Sequence, residues 1–351
     1  MFSDTPPGAQ ICANRHVHRR KCITAARDSI SPMTFAAPQN GAHVSQLSKL
    51  VRSVRAFSRE MNKLPEQPKT QWQRPKIGIA LGGGFARGIA HVGALKVLEE
   101  EKISIDYIAG TSVGALIGAA YCSGVGAREL EEVAGLVRFK HFARWTLSRY
   151  GFCTNDRMDL FLSRILKVKT FEQLRIPLAI TATDFLTGEP KVFTSGGLID
   201  PVRASCAYPG MFLPVRIDGR MYVDGMLGHA VPTTPLRQMG ADRVIAIYLS
   251  GHWVQMSGPR HLFDVIGQCF SIAQERMSNL WRADADMVTE PDVTGMAYDC
   301  FDRTPDLIRA GETAMRQVLP QLKQWLTAPE PGKVQSVAQT LPGTGVRTSP
   351  A

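Results

Sequence analysis

Ile105-Asp106-Tyr107-Ile108-Ala109-Gly110-Thr111-Ser112-Val113-Gly114-Ala115-Leu116-Ile117-Gly118-Ala119-Ala120-Tyr121-Cys122 is the stretch from which the fold of this 351-residue chain is most directly read. Ile105 to Ala109 has the length and apolar content of a buried strand, and Ala115 to Cys122 reads as a helix. Between them stands Gly110-Thr111-Ser112-Val113-Gly114. A G-x-S-x-G turn at a strand-to-helix junction is a nucleophile elbow: small flanking residues let a strained turn lift the serine hydroxyl over the sheet and set it against a helix N-terminus. Ser112 is the candidate nucleophile, and Gly110 and Gly114 make room for the turn. The pentapeptide also arises by chance, so its weight comes from this context.

Upstream, the strand-like run Ile77 to Leu81 leads into Gly82-Gly83-Gly84-Phe85-Ala86-Arg87-Gly88 and then a helical run, Ile89 to Glu101. Glycines at such a junction adopt torsions closed to other residues and bring bare N–H groups up to a negative atom. Phosphate is one candidate for that atom and the oxyanion of an acyl transition state another; a tight turn without a ligand is the plainest alternative. The dinucleotide fingerprint fails because Arg87 stands where its third glycine belongs, and the Walker motif fails because no Gly-Lys-Ser/Thr follows.

Downstream, Leu178 to Ala182 and Val244 to Leu249 are further strand-like runs. Strands alternating with longer helical segments predict an α/β fold with a mainly parallel sheet between helices. Val215 to Val223 differs, since Asp218-Gly219 between two strand-like runs predicts a tight hairpin. After Leu249 the chain reads as helical, at 262–282 and 305–327, and no internal repeat is present.

A nucleophilic serine needs a base. The Ser, Asp/Glu, His order of α/β-hydrolases leaves His229, His252 and His261 as candidates, none within a motif that marks it. His91, inside the helix after the glycine turn, reads as a packing residue. Asp224, in Tyr222-Val223-Asp224-Gly225, ends a strand-like run where a carboxylate can be held rigidly and act as a general base directly. An isolated Asp-Gly pair is otherwise a turn.

With 44% hydrophobic and 21% charged residues, the composition is that of a globular enzyme. The formal net charge of +10 suggests a polyanionic partner until it is located. Residues 1–76 hold 13 Lys and Arg against 4 Asp and Glu, leaving 28 against 27 for the remainder. Nucleic-acid binding by the main body loses its support, and no nucleic-acid-binding signature replaces it. Seven scattered cysteines, without a C-x-x-C pair or a histidine cluster, predict free thiols and no metal. No cofactor motif is present. No apolar run of signal-peptide or membrane-spanning length occurs, so the expected location is the cytoplasm. Leu47, Leu50, Val51, Val54, Phe57 and Met61 recur at helical spacing among Lys49, Arg52, Arg55, Arg59 and Lys63, a basic amphipathic helix suited to an anionic membrane face or to packing on the body. The expected organisation is a basic disordered extension (1–43), this helix with a Pro-rich linker (44–75), a catalytic domain (76–249), a mainly helical part of the same unit (250–328) and a flexible tail (329–351).

The run Leu81 to Gly88 with Ala90-His91-Val92-Gly93, then Gly110 to Gly114, then Arg203-Ala204-Ser205-Cys206-Ala207-Tyr208-Pro209-Gly210-Met211-Phe212, then Asp224-Gly225, resembles the patatin-like phospholipase family in order and spacing. The resemblance covers about residues 77–249 and implies a three-layer fold with a mainly parallel central sheet. It also implies a Ser112–Asp224 dyad without a catalytic histidine, and an oxyanion site at Gly82, Gly83 and Gly84 buttressed by Arg87. Most similar is the bacterial branch related to the esterase domain of neuropathy target esterase, which implies phospholipid or lysophospholipid substrates and an acyl-enzyme. An acyltransferase, a thioesterase or a regulatory protein retaining the fold are the alternatives. Phe85 stands where the family usually has Gly, and Met226 follows Asp224-Gly225 where it usually has Gly or Ala, so both narrow the approach to the site.

Overall fold

The computed structural model describes residues 42–61, 72–249 and 262–327. The chain divides into two compact units, Met1–Thr70 and Gln71–Ala351. In the first, helix α1 (Ala42–Met61) is the basic amphipathic segment, and its Leu50, Val51, Val54 and Phe57 side chains are exposed. The extension before it and the tail after residue 327 lie outside the described residues.

The second unit carries strands β1 (Ile77–Leu81), β2 (Tyr107–Thr111), β3 (Arg144–Ser148), β4 (Gly151–Thr154), β5 (Leu178–Asp184), β6 (Pro190–Phe193), β7 (Gly210–Phe212), β8 (Val215–Ile217), β9 (Arg220–Asp224), β10 (Arg243–Ile247) and β11 (Met287–Thr289). Its helices are α2 (Ala90–Glu100), α3 (Val113–Cys122), α4 (Ala127–Leu136), α5 (Asp156–Ile165), α6 (Ile199–Ser205), α7 (Thr233–Gln238), α8 (Leu262–Arg276), α9 (Ser278–Arg282) and α10 (Thr304–Leu326). The main sheet runs β11-β10-β1-β2-β5-β9-β8, with β6 also on β5. Its first four pairings are parallel, and the β5–β6, β5–β9 and β8–β9 pairings are antiparallel.

Strand alternation divides the core. Ile77, Ile79, Leu81, Ile108, Leu178, Ile180, Ile245 and Ile247 pack with residues of α2, α3 and α10, so large side chains fill that face. Ala80, Ala109, Ala179 and Ala246 point the other way, where small side chains let Leu236 of α7 and Trp281 of α9 approach closely. This is the expected three-layer arrangement: a buried, mainly parallel sheet between helices.

The hairpin expected at Asp218-Gly219 joins β8 to β9, with both turn residues at positive φ (48° and 78°), the signature of a turn that matches strand twist. The helix expected over 262–282 is instead two, broken at Met277. A second sheet, β3-β4-β7, has no counterpart in the sequence reading. Arg-Trp-Thr-Leu-Ser in β3 leaves Trp145 exposed, and so short and half-polar a strand has no legible period.

Candidate active site

Two strand ends meet to form the site. β2 pairs with β5 up to Thr111 opposite Thr181, and β9 pairs with β5 so that Asp224 lies opposite Ala182. Because β6 takes one edge of β5 over Ile180–Thr183, β2 and β9 share the other edge and run toward each other end to end. Ser112, one residue beyond β2, therefore faces Asp224 across the gap. Its Oγ donates to Asp224 Oδ2 at 2.7 Å.

Ser112 has φ 55° and ψ −123°, the strained conformation of an elbow that ends β2 and opens α3. A Cβ at Gly110 would run into the Gly114 carbonyl and the Ala115 backbone, and one at Gly114 into the Leu81 carbonyl. Both positions require glycine because β1, β2 and α3 converge there. The main-chain N–H of Ser112 donates to Ser205 Oγ at 2.7 Å. Beneath, Thr181 donates to Thr111 Oγ1, which passes its own proton to the His229 carbonyl, each at 2.7 Å.

Asp224 is 1% exposed and Ser112 6%. Asp224 Oδ1 accepts the Met226 N–H at 2.9 Å, and its carbonyl accepts from Thr183 Oγ1 at 3.0 Å. Burial pushes the carboxyl from its ordinary 3.8 up to about 7, against the opposing pull of the Met226 N–H and the Ser112 hydroxyl. Cys206 lies beside the pair, and burial with the Asp224 charge holds its thiol well above the usual range. It therefore stays a neutral thiol.

His91 and His229 make other contacts. His91 is fully buried, its pKa pushed down to about 4 by desolvation, and its neutral ring donates from Nε2 to the Gly82 carbonyl at 2.8 Å. It anchors α2 to the glycine turn. His229 meets the site through its backbone carbonyl, and the hydroxyl of Ser112 has Asp224 as its acceptor. His252 and His261 lie outside the described residues.

The glycine turn divides its donors. Gly82 N–H donates to the Ile247 carbonyl and Gly83 N–H to the Ala230 carbonyl, both at 3.2 Å, because the turn is tied to β10 and to the segment after β9. Those two groups hold the turn. Among the described residues the Gly84 N–H has no such acceptor. Arg87 is buried beneath the turn near Tyr208, Tyr248 and Cys300. Phe85 occupies the left-handed region (φ 51°), at a cost on the order of 1–2 kcal/mol. Its ring is gripped edge-on by Tyr208 and Tyr298, with centroids 4.9 and 5.6 Å away.

On the helix-rich side of Ser112 opens an apolar cavity of about 120 Å³ lined by aliphatic and aromatic side chains. Ser205 is the site residue that sequence reasoning passed over. It stands in the quoted Arg203-Ala204-Ser205-Cys206 run, but α6 brings it to Ser112 across 93 residues of sequence. Among the described residues no three His, Cys, Asp or Glu side chains are grouped to hold a metal ion. Nor is any helix among them long and apolar enough to cross a membrane.

A serine and a carboxylate paired at the carboxyl end of a mainly parallel sheet, with an apolar cavity alongside, define the class as an α/β protein with a serine–carboxylate site. Residues 79–237 match the family model described as Patatin-like phospholipase. A Mycobacterium bovis protein named as an uncharacterized NTE family protein is 32% identical over 192 residues, 50% of this chain and 50% of its own. Lysophospholipase NTE1 of Mycosarcoma maydis is 30% identical over 230 residues, covering 62% of this chain and 12% of that one. This chain thus spans about half the length of the mycobacterial relative and far less of the fungal one. Among solved structures, VipD from Legionella pneumophila aligns over 71% of this chain and 67% of its own, at 13% identity and a TM-score of 0.43.

Proposed function

We propose that this protein hydrolyses carboxylic esters of phospholipids or lysophospholipids through Ser112 and Asp224. The observation that carries the reading is the 2.7 Å hydrogen bond from a strained, elbow-borne serine to a buried carboxylate at the mouth of an apolar cavity. Ser112 Oγ attacks the ester carbonyl carbon while its proton passes to Asp224. The tetrahedral oxyanion is met by the Gly84 N–H and the first free N–H groups of α3. The bond to the leaving alkoxide breaks as Asp224 returns the proton to it, leaving an acyl group on Ser112. Water then attacks this acyl-enzyme, giving its proton to Asp224, which hands it to Ser112 as the acid departs. A carboxyl titrating near 7 suits both directions of transfer near neutral pH. The patatin-like domain and the lysophospholipase among the relatives support the lipid ester as substrate.

An anionic membrane surface is the proposed docking partner of α1, whose exposed Leu50, Val54 and Phe57 accompany Arg52 and Arg55.

The test is covalent labelling with a short fluorophosphonate, followed by turnover of a lysophospholipid and release of its fatty acid. The wild type labels on Ser112 and hydrolyses; Ser112→Ala does neither. Labelling that persists in Ser112→Ala, or transfer of the acyl group to an added alcohol in preference to water, refutes the reading.

A further inference from the structure

The shape of the cavity beside Ser112 limits what can fill it. Its near end is formed by Ser112, Phe85, Cys206 and Phe212. One wall is a single face of α3, through Val113, Leu116, Ile117 and Ala120. Since α3 begins at the elbow and runs away from it, each of these residues lies deeper than the last. The packing of α4 follows the opposite direction. Ala127 at its start donates its N–H to Glu99 near the end of α2, whereas Ala134 packs with Ile89 near the start of α2. Leu130 therefore lines the deep end and Val137 the end nearer the elbow. α5 closes the bottom: the Lys167 N–H just beyond it donates to Ser123 Oγ just beyond α3, at 3.2 Å, which puts Ile165 level with the end of α3. The floor is made of Ala120, Leu130 and Ile165.

Two magnitudes set the occupant. Ala120 lies eight residues past Ser112, about 12 Å of helix rise. An extended chain advances about 1.2 Å per bond, so that depth takes roughly ten carbons. The volume of about 120 Å³ is close to the ~150 Å³ of an apolar protein cavity known to admit one six-carbon benzene ring, so it holds roughly six carbons of a single chain with no second chain beside it, and the roughly ten carbons of the depth are the upper bound.

Resting on the reading of Ser112 as an acylated nucleophile, we infer that the cavity is a single-chain acyl site for about six to ten carbons, with Ala120, Leu130 and Ile165 as the residues that set the length. The second chain of a diacyl lipid, and the carbons of a long chain beyond the floor, stay outside. A single-chain, medium-length ester is the favoured substrate class. Phe85, held at positive φ between Tyr208 and Tyr298, is the wall that closes the near side.

The experiment uses the full chain with p-nitrophenyl esters from acetate to palmitate. Each methylene that enters raises kcat/KM by up to about fourfold. The expected profile climbs to an optimum at about six to ten carbons and is lower at palmitate. Ala120→Leu, which raises the floor, moves the optimum to shorter chains, and Ile165→Ala, which lowers it, moves the optimum to longer ones. Thermal unfolding of each variant identifies any that fails to fold, and the opposite shifts of the two variants are a result that general destabilisation does not produce. A profile that climbs without a break through palmitate overturns the inference, as does an optimum that neither folded variant moves. Fluorophosphonate labelling separates the two levels: Ser112 labelled with a flat chain-length profile sinks the acyl site alone, and no labelling at any chain length sinks it together with the hydrolase reading.

Discussion

Asp224→Asn should make the protein more stable as it makes it inactive, and the gain should grow with pH. In the folded chain burial raises this carboxyl to about 7 from an ordinary value of 3.8. Between those values the unfolded chain has released its proton and the folded chain still holds one, so stability falls as pH rises from about 4 to about 7 and is flat above. The full penalty is about 4 kcal/mol, at 1.36 kcal/mol per pKa unit. About half is already in force at pH 5.5 and nearly all at pH 8.5, so the wild type loses about 2 kcal/mol between these conditions through this one group. Asparagine does not ionise, yet it keeps the local bonds: its Oδ1 accepts the Met226 N–H, and its amide donates to Ser112 Oγ. Urea unfolding of both proteins at the two pH values measures the gap, which should widen by about 2 kcal/mol toward pH 8.5 while other titrating groups cancel. Turnover should fall on the order of 10²- to 10⁴-fold, the loss of a general base. A gap that stays constant or narrows with pH refutes the argument that Asp224 sits buried at the expense of stability.

For the wild type, kcat/KM should rise with pH and reach half its plateau at about 7, as Asp224 loses its proton and becomes a base; a profile flat from pH 5 to 9 contradicts this. Ser205→Ala leaves the Ser112 N–H without its acceptor, and a buried donor so stranded costs about 1–3 kcal/mol, so labelling of Ser112 should slow roughly tenfold or more and Ser205→Thr should restore it. Equal labelling rates in all three proteins remove Ser205 from the positioning of the nucleophile. Reversing two charges on α1, Arg52→Glu with Arg55→Glu, should lower binding to anionic vesicles at least tenfold in low salt, given about 1 kcal/mol for each basic residue at such a surface. Unchanged vesicle sedimentation assigns docking to another part of the chain.

Much of this was legible in the residues alone. The buried strands Ile77–Leu81 and Leu178–Asp184, the hairpin at Asp218-Gly219, and the elbow at Ser112 are local events, decided by β-branched runs, by residues that tolerate positive φ, and by small residues at a convergence point. The order of these motifs also pointed to Ser112 and Asp224, since each carries its own backbone context. Pairing is a different matter. That β2 and β9 meet end to end on one edge of β5 depends on β6 taking the other edge, a competition between segments that no window of sequence contains. The same holds for the donors of the glycine turn, where carbonyls of Ile247 and Ala230 claim Gly82 and Gly83 from distant parts of the chain. Ser205 and the floor of the cavity are likewise products of packing, because α6 and the ends of α3, α4 and α5 are brought together only when the sheet is covered. Local backbone chemistry thus selected the elements and set Ser112 and Asp224 at their ends. The distances between them, the burial that lifts Asp224 toward neutrality, and the depth of the cavity exist only in the tertiary structure, because each depends on groups far apart in the chain excluding water from the same small volume.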